Sequence, residues 1–467
     1  MTRVAFYNLG CKVNQFDAAA MESVLQEEGG YTSVPFGEEA DVYVVNTCTV
    51  TGKSDHEARQ AIRRAVRLNR NAKVVVTGCY AQTHPEEIAK IEGVSLILGN
   101  VEKFYLKEHL KTLVHSCTPV SQGKGPMVFV GNIHGNSPLR QPEISGFPFK
   151  TRAFLKVQDG CNLRCSFCII PEARGESRSL PLARVVEQVT VLEGEGYQEV
   201  ILTGIHLGSY GRDLDPRTAL PKLLEALLRE TRIPRIRLSS IEPREVTDEL
   251  IGIMAGSDRI CRHLHIPLQS GDDQILRHMN RNYTVSFYED RIRAAVRQFP
   301  RLGLGTDVMV GFPGEGETHF ENTRRLIDRL PFTYLHVFPY SPRSGTGAAH
   351  LRDDVPRSEK HRRGEALRVL GEKKKEAYLS GFMGETLRVL LEAEPGDLSK
   401  GWGGYSDNYL RVRVWPADDD GREKSAAGGL APNRLIPVAI RGILKEEGAL
   451  AGVWPPPPPQ KPHSPVR

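Results

Sequence analysis

Short apolar runs alternate with stretches of helical periodicity through most of the chain. Up to about residue 116, strand-like runs fall at Arg3 to Asn8, Asp41 to Asn46, Lys73 to Thr77 and Val94 to Leu98. Helical patterns separate them, which predicts an α/β unit with a parallel sheet. Residues 117–148 change character, with Gly, Pro, Ser and Asn crowded together, and predict a linker holding one short strand, Met127 to Val130. From 149 to 376 the alternation returns. Six runs recur there: Phe154–Val157, Glu199–Leu202, Arg235–Leu238, His263–Ile266, Gly305–Val310 and Tyr334–Phe338. Helical segments such as Leu182–Glu195 and Leu220–Glu230 lie between them. Six strand–helix units rather than eight predict a partial, open barrel. Residues 380–444 carry the strand-like runs Leu387–Leu391, Tyr409–Trp415 and Leu435–Ile440, a small β module. The stretch 445–467 contains Pro455–Pro459 and predicts an extended, disordered tail.

Composition narrows the class. A chain of 467 residues is too long for one core, so two or three domains are expected. No apolar run approaches the roughly 18 residues that a membrane helix requires. The first residues enter a strand with no signal-peptide pattern, so a cytoplasmic location is expected, with no membrane partner. Eight cysteines in such a chain point to metal ligands, catalytic thiols or core residues rather than disulfides. The net charge of +5 is a weak pointer to a polyanion.

The cysteines sharpen this. Cys161, Cys165 and Cys168 stand at spacing C-x3-C-x2-C directly after the run Ala153 to Val157. A four-iron cluster is normally held by four thiolates. Three in one loop leave one iron open to a small molecule with an amine and a carboxylate. Zinc would need a fourth Cys or His close by, and none follows Cys168 at short range; ordinary buried thiols are the other alternative. Cys11, Cys48 and Cys79 each follow a predicted strand, where ligands bind in open parallel sheets. They converge there, or they are three small buried residues. Cys117 has no partner motif and reads as structural, and Cys261 reads as core.

The Cys161–Cys168 loop resembles the signature of radical S-adenosylmethionine (SAM) enzymes. Asn8-Leu9-Gly10-Cys11-Lys12-Val13-Asn14-Gln15, Asn46-Thr47-Cys48-Thr49-Val50-Thr51 and Thr77-Gly78-Cys79-Tyr80-Ala81-Gln82 are similar to the N-terminal domain of the radical SAM methylthiotransferases. Gly404-Tyr405-Ser406-Asp407-Asn408-Tyr409-Leu410-Arg411-Val412 resembles the nucleic-acid-binding TRAM module that ends this family. The resemblance implies two 4Fe-4S clusters, one on Cys161, Cys165 and Cys168 with SAM on its open iron, and an auxiliary one on Cys11, Cys48 and Cys79. It also implies a tRNA anticodon stem-loop as substrate, an electron donor such as flavodoxin or ferredoxin, and a sulfur source. The form Gly-Cys-Lys-Val-Asn-Gln, the run Leu202 to Gly208 and the run His336 to Thr346 look like the branch that methylthiolates C2 of N6-threonylcarbamoyladenosine. The family's other substrates are N6-isopentenyladenosine in tRNA and a ribosomal-protein aspartate.

Expected contacts follow from position. Thr203, Gly204, Ser240, Glu242 and Gln269 lie at strand ends and are the candidates for SAM, or are turn residues only. Arg59, Arg63 and Arg67 recur on one helical face, with Arg70 beyond them, as a phosphate track or a solvated face. Arg174 and Arg178 follow the cysteine loop and are expected to meet the SAM carboxylate or a substrate phosphate. Tyr409 and Arg411, with Tyr405 and Arg413, are expected to form a stacking and phosphate patch, although residues 384–443 hold eight Lys/Arg against nine Asp/Glu. His206, His263 and His265 are expected to pack rather than bind.

Overall fold

The computed structural model describes residues 1–26, 29–115, 125–135, 138–144, 146–147, 151–392, 400–417 and 430–454. Cys117 and the proline-rich run from 455 lie outside the described residues. Among the described residues, no helix is long and apolar enough to cross a membrane.

Six parallel strands form the first sheet: β1 (Thr2–Asn8), β2 (Tyr31–Val34), β3 (Val42–Thr47), β4 (Lys73–Gly78), β5 (Val94–Leu98) and β6 (Met127–Phe129). Their order is β2-β1-β3-β4-β5-β6. Every residue of β3 and β5 is buried, as expected where helices cover both faces. Val42, Val44, Val75 and Leu96 pack on the side of helix α1 (Lys12–Gln26), through Met21 and Leu25. Tyr43, Val45, Val74 and Val76 pack on the side of helix α2 (Gly52–Leu68), through Ala58, Ile62 and Ala65. Two strands depart from expectation. β2 is a short edge strand with little apolar content. β6, assigned above to the linker, pairs with β5 and extends the sheet past residue 116.

The central strands are β7 (Ala153–Lys156), β8 (Glu199–Thr203), β9 (Arg235–Leu238), β10 (His263–His265), β11 (Gly303–Val310) and β12 (Tyr334–Pro339). They form two parallel three-stranded sheets, β9-β8-β7 and β10-β11-β12. Single bridges at Ile236–Ile260 and Ser240–His265 join β9 to the second sheet. All six share one hydrophobic core, giving the open, partial barrel.

The last module is a closed antiparallel-rich barrel of β13 (Thr386–Leu391), β14 (Trp402–Ser406), β15 (Arg411–Pro416), β16 (Leu435–Leu444) and β17 (Ala449–Trp454), in the order β13-β14-β15-β17-β16. The boundary at 444 is therefore too early. β17 closes the barrel between β15 and β16, which would otherwise both present open edges.

Candidate active site

Gly160 opens the loop of three cysteines at φ +72°, and a Cβ there would lie 1.9 Å from the Glu176 carbonyl oxygen. Only glycine fits that turn. The loop is then pinned from several sides. The Cys161 amide donates to the Gly175 carbonyl at 3.0 Å, and the Ser166 amide to that of Met279 at 3.0 Å. Asn280 donates to the Arg164 carbonyl at 2.6 Å. The sulfurs meet donors: Arg281 Nη1 lies 3.0 Å from Cys165 Sγ, and the Leu163 amide 3.4 Å from Cys161 Sγ. Burial pushes the Cys168 thiol up to about 12, so a bound cation is needed to hold it as thiolate.

The second triad stands at the carboxyl ends of β1, β3 and β4, on Cys11, Cys48 and Cys79. Gly10 sits at φ +96°, and a Cβ there would come within 2.8 Å of Cys48 Cβ, so the turn into α1 touches the loop after β3. Burial pushes the Cys48 thiol up to about 12. Asn100 Nδ2 lies 3.9 Å from Cys79 Sγ and donates to the Ala173 carbonyl at 2.7 Å. Sulfurs around one tetrahedral zinc lie about 3.8 Å apart, from a Zn–S bond of about 2.3 Å. Among the described residues, neither triad gathers three sulfurs within 4.8 Å of one another. That wider spread, with donors to Cys161, Cys165 and Cys79, fits an iron–sulfur cube better than one ion.

Between the triads lies a buried knot of charge. Asp17, from α1, accepts from Lys103 at 2.5 Å, Lys156 at 2.6 Å and Arg174 at 3.0 Å. Arg174 Nη1 also donates to both oxygens of Asp159 at 3.0 Å, and Nη2 donates to Asn14. Burial raises the two carboxyl pKa values, but the cations outweigh it and hold both far below the usual range. The assignment of Arg174 to RNA or SAM is corrected here: its side chain is 1% exposed and consumed by this knot. Its Nε is buried without a partner. Arg178, half-buried, donates to the Arg174 carbonyl at 3.1 Å and lines a cleft with Asp159, Asn100 and His134.

Of the strand-end residues, Glu242 is linked to the first triad. Glu242 accepts from Arg281, the residue that reaches Cys165. Gln269 holds φ +63° and buries an unpartnered Oε1. Strained, unsatisfied groups of this kind cluster at ligand sites. Ser240 is exposed, and Thr203 is buried at 2%. At Gly204 a Cβ would meet Gln158 Oε1 at 2.7 Å. His206 is no mere packing residue. Its Nδ1 lies 3.9 Å from Cys161 Sγ and its Nε2 3.3 Å from Glu245. Burial works against its charge, yet these partners raise its pKa to about 9.

Inside the barrel runs a ladder of rings. Tyr405 stacks on Tyr409 at 5.2 Å, Tyr409 meets His263 at 4.6 Å, and His263 stacks on Tyr334 at 6.0 Å. Tyr334 Oη lies 3.1 Å from His265 Nδ1. His265 Nε2 and His336 Nδ1 lie 3.1 Å and 3.2 Å from the same Asp307 oxygen. The floor is built by the C-terminal module. Arg237 donates to the Asp407 carbonyl at 2.8 Å and to Glu199 at 2.7 Å, and Arg235 donates to the Tyr405 carbonyl at 3.0 Å. The expected Tyr405–Tyr409 surface patch is thus corrected: both rings face the barrel, where Arg152 and Arg237 lie over them at 4.4 Å and 5.0 Å. Arg411 is half-buried at the start of β15, and Cys261 is buried.

The arginine stripe of α2 lines an open groove with Lys73 and Lys90. Arg59 donates to Tyr80 Oη at 2.8 Å, next to Cys79, while Arg63, Arg67 and Arg70 are exposed toward the far end of the sheet. Missed from sequence were Asp17, Lys103, Lys156, Arg281 and Asp307. None carries a local motif, and each also has a partner remote in the chain, as Asp17 has in Lys103 and Lys156 and Arg281 has in Cys165.

Comparison with known proteins agrees with this arrangement. Residues 3–99 match a family described as uncharacterized protein family UPF0004, and residues 155–327 match the radical SAM superfamily. The chain is 40% identical to the threonylcarbamoyladenosine tRNA methylthiotransferase MtaB of Bacillus subtilis, over 88% of this chain and 90% of that one. It is 40% identical to the protein of the same name from Aquifex aeolicus, over 88% and 96%. With a tRNA-2-methylthio-N(6)-dimethylallyladenosine synthase of Thermotoga petrophila it shares 33% identity, over 82% and 85%. The fold is shared with the radical SAM methyltransferase TsrM of Kitasatospora setae, with a TM-score of 0.54 at 16% identity over 73% of this chain and 75% of that one. Two cysteine triads bound through one buried knot, in a chain so similar to these relatives along most of its length, place it in the MtaB-type radical SAM methylthiotransferase family.

Proposed function

We propose that this enzyme adds a methylthio group to C2 of N6-threonylcarbamoyladenosine beside the tRNA anticodon. The observation that carries the reading is the pairing of two cysteine triads through Arg174, which binds Asp159 beside Cys161 and Asn14 and Asp17 beyond Cys11. The 40% identity to relatives named for that nucleoside supports the choice of base.

Cys161, Cys165 and Cys168 hold a 4Fe-4S cluster in this reading, and Cys11, Cys48 and Cys79 a second. Bound there, the first supplies reductive SAM cleavage and the second a site for sulfur. The chain's own residues position and enclose. Arg281 donates to Cys165 while anchoring Glu242, and Glu242, Gln269, Ser240, Thr203 and Gly204 receive SAM at the strand ends. His206 sits by Cys161 as a further positioning group. Arg59, Arg63 and Arg67 follow the RNA backbone, with Arg178 and Arg411 as further cations. Residues 1–116, extended by β6, form the auxiliary-cluster domain, 149–376 the SAM domain, and 380 to 454 the TRAM-like module. A flavodoxin or ferredoxin supplies electrons, and a separate sulfur source completes the partners.

Mass spectrometry of tRNA nucleosides from cells with and without the gene tests this. The expected result is loss of 2-methylthio-N6-threonylcarbamoyladenosine with accumulation of its unthiolated parent. Loss of the isopentenyladenosine counterpart instead would overturn the choice of base.

A further inference from the structure

Lys12 follows Cys11, yet its side chain leaves the cysteine site and enters the barrel. Its ammonium lies 5.8 Å from the Tyr409 ring centre, among Arg237, Arg152 and Glu199 on the barrel floor. Those arginines have acidic partners, Arg237 in Glu199 and Arg152 in Glu392. Among the described residues Lys12 has no ion pair or hydrogen bond. A half-buried cation without a counter-ion is costly, and a carboxylate brought by a ligand would relieve that cost.

The rest of the lumen is equally particular. His336 is 63% exposed, and its ring lies 5.2 Å from that of His265, with Asp307 between them. Its neighbours Leu335 and Val337 belong instead to the hydrophobic core. Gly305 leaves room for the Tyr334 ring, which lies 2.0 Å from where a Cβ would stand. The lumen therefore offers one unpaired cation, one carboxylate acceptor and two imidazoles. A ligand that satisfies them carries a carboxylate together with N–H or O–H groups.

We infer that the barrel lumen is the subsite for the threonylcarbamoyl substituent, with Lys12 receiving its carboxylate and Asp307, His265 and His336 its ureido and hydroxyl groups. This rests on the proposed function above and gives it a physical basis. An apolar dimethylallyl group would leave Lys12 without a counter-ion, and a site built to hydrogen-bond rejects such an analogue strongly.

The test measures binding of anticodon stem-loop RNAs to the full-length, cluster-loaded protein with SAM. Three RNAs are compared, bearing N6-threonylcarbamoyladenosine, N6-isopentenyladenosine or unmodified adenosine. The wild type is expected to prefer the first, and Lys12→Met to reduce that preference by roughly tenfold or more. Lys12 adjoins Cys11, so Asp307→Asn and His336→Ala, which adjoin none of the six cysteines in sequence, supply the second arm and are expected to lower the same ratio. Iron content and circular dichroism verify folding. A ratio unchanged in folded Asp307→Asn and His336→Ala overturns the inference while leaving the proposed function standing. A wild type that prefers the isopentenyl RNA overturns both.

Discussion

Arg174 and Asp159 form a two-point contact at 3.0 Å to each carboxylate oxygen, wholly inside the protein. Asp159 lies two residues before Cys161, and the same guanidinium reaches Asp17 and Asn14 in the helix that follows Cys11. The two cysteine loops are therefore not independent. Three cations face two carboxylates in the knot, and one positive charge is left over near the two groups of cysteines.

Replacing Arg174 should therefore cost far more than a surface arginine would. Arg174→Met leaves two buried carboxylates short of a partner, a loss of about 3 kcal/mol or more. Arg174→Lys should recover little, because it lacks the fork that serves Asp159 and Asp17 together. Urea unfolding of the metal-free variants measures this, and a loss under about 1 kcal/mol would contradict the account.

The same knot predicts the acid limb of stability. Asp17 and Asp159 are held below their unfolded pKa in the folded state. The unfolded chain thus binds protons first, so their contribution is complete above about pH 5 and drains away as pH falls. The urea midpoint should drop steeply from pH 5 to pH 3 in the wild type. Asp159→Asn, less stable at neutral pH, should show a shallower fall.

The two triads should separate by function. Cys165→Ala should abolish release of 5′-deoxyadenosine from SAM. Cys48→Ala should keep that release, lose methylthiolation and carry about half the iron, as one of two four-iron clusters is lost. Chromatography of the nucleoside and iron analysis read both outcomes. Full methylthiolation by Cys48→Ala would exclude the second cluster.

The α2 stripe should act through charge alone. Arg63→Gln and Arg67→Gln, both exposed, should weaken tRNA binding without altering preference among modified bases. Each should flatten the plot of log affinity against log salt by roughly 0.7 to 0.9. Unchanged slopes would make the stripe a solvated helix face.

The sequence disclosed what is local. The three cysteines from Cys161 to Cys168 share one loop, and their spacing carries its own meaning. Most strands of the first two domains alternate with helices and were legible from period; β2, a short edge strand with little apolar content, was not. Most of the failures are long-range. Arg174 resembled its neighbour Arg178 in a polar run, and its burial depends on Asp17, 157 residues earlier. Tyr409 read as a surface aromatic because nothing local shows that Arg237, on a different domain, draws its turn into the barrel. The Ala449–Trp454 strand was lost beside the prolines. His265, Asp307 and His336 come from three strands, and only the fold makes them one group.

The turn Asp407, Asn408 and Tyr409 caps the central strands at one end, through the Arg237 bond to the Asp407 carbonyl and the Arg237 guanidinium over the Tyr409 ring. Gly303 rests so closely on the Asn408 carbonyl that a methyl group there would lie 2.0 Å from it. A side chain at Gly303 would push that turn off the strand it rests on, so this one glycine governs how tightly the C-terminal module seats against the central domain.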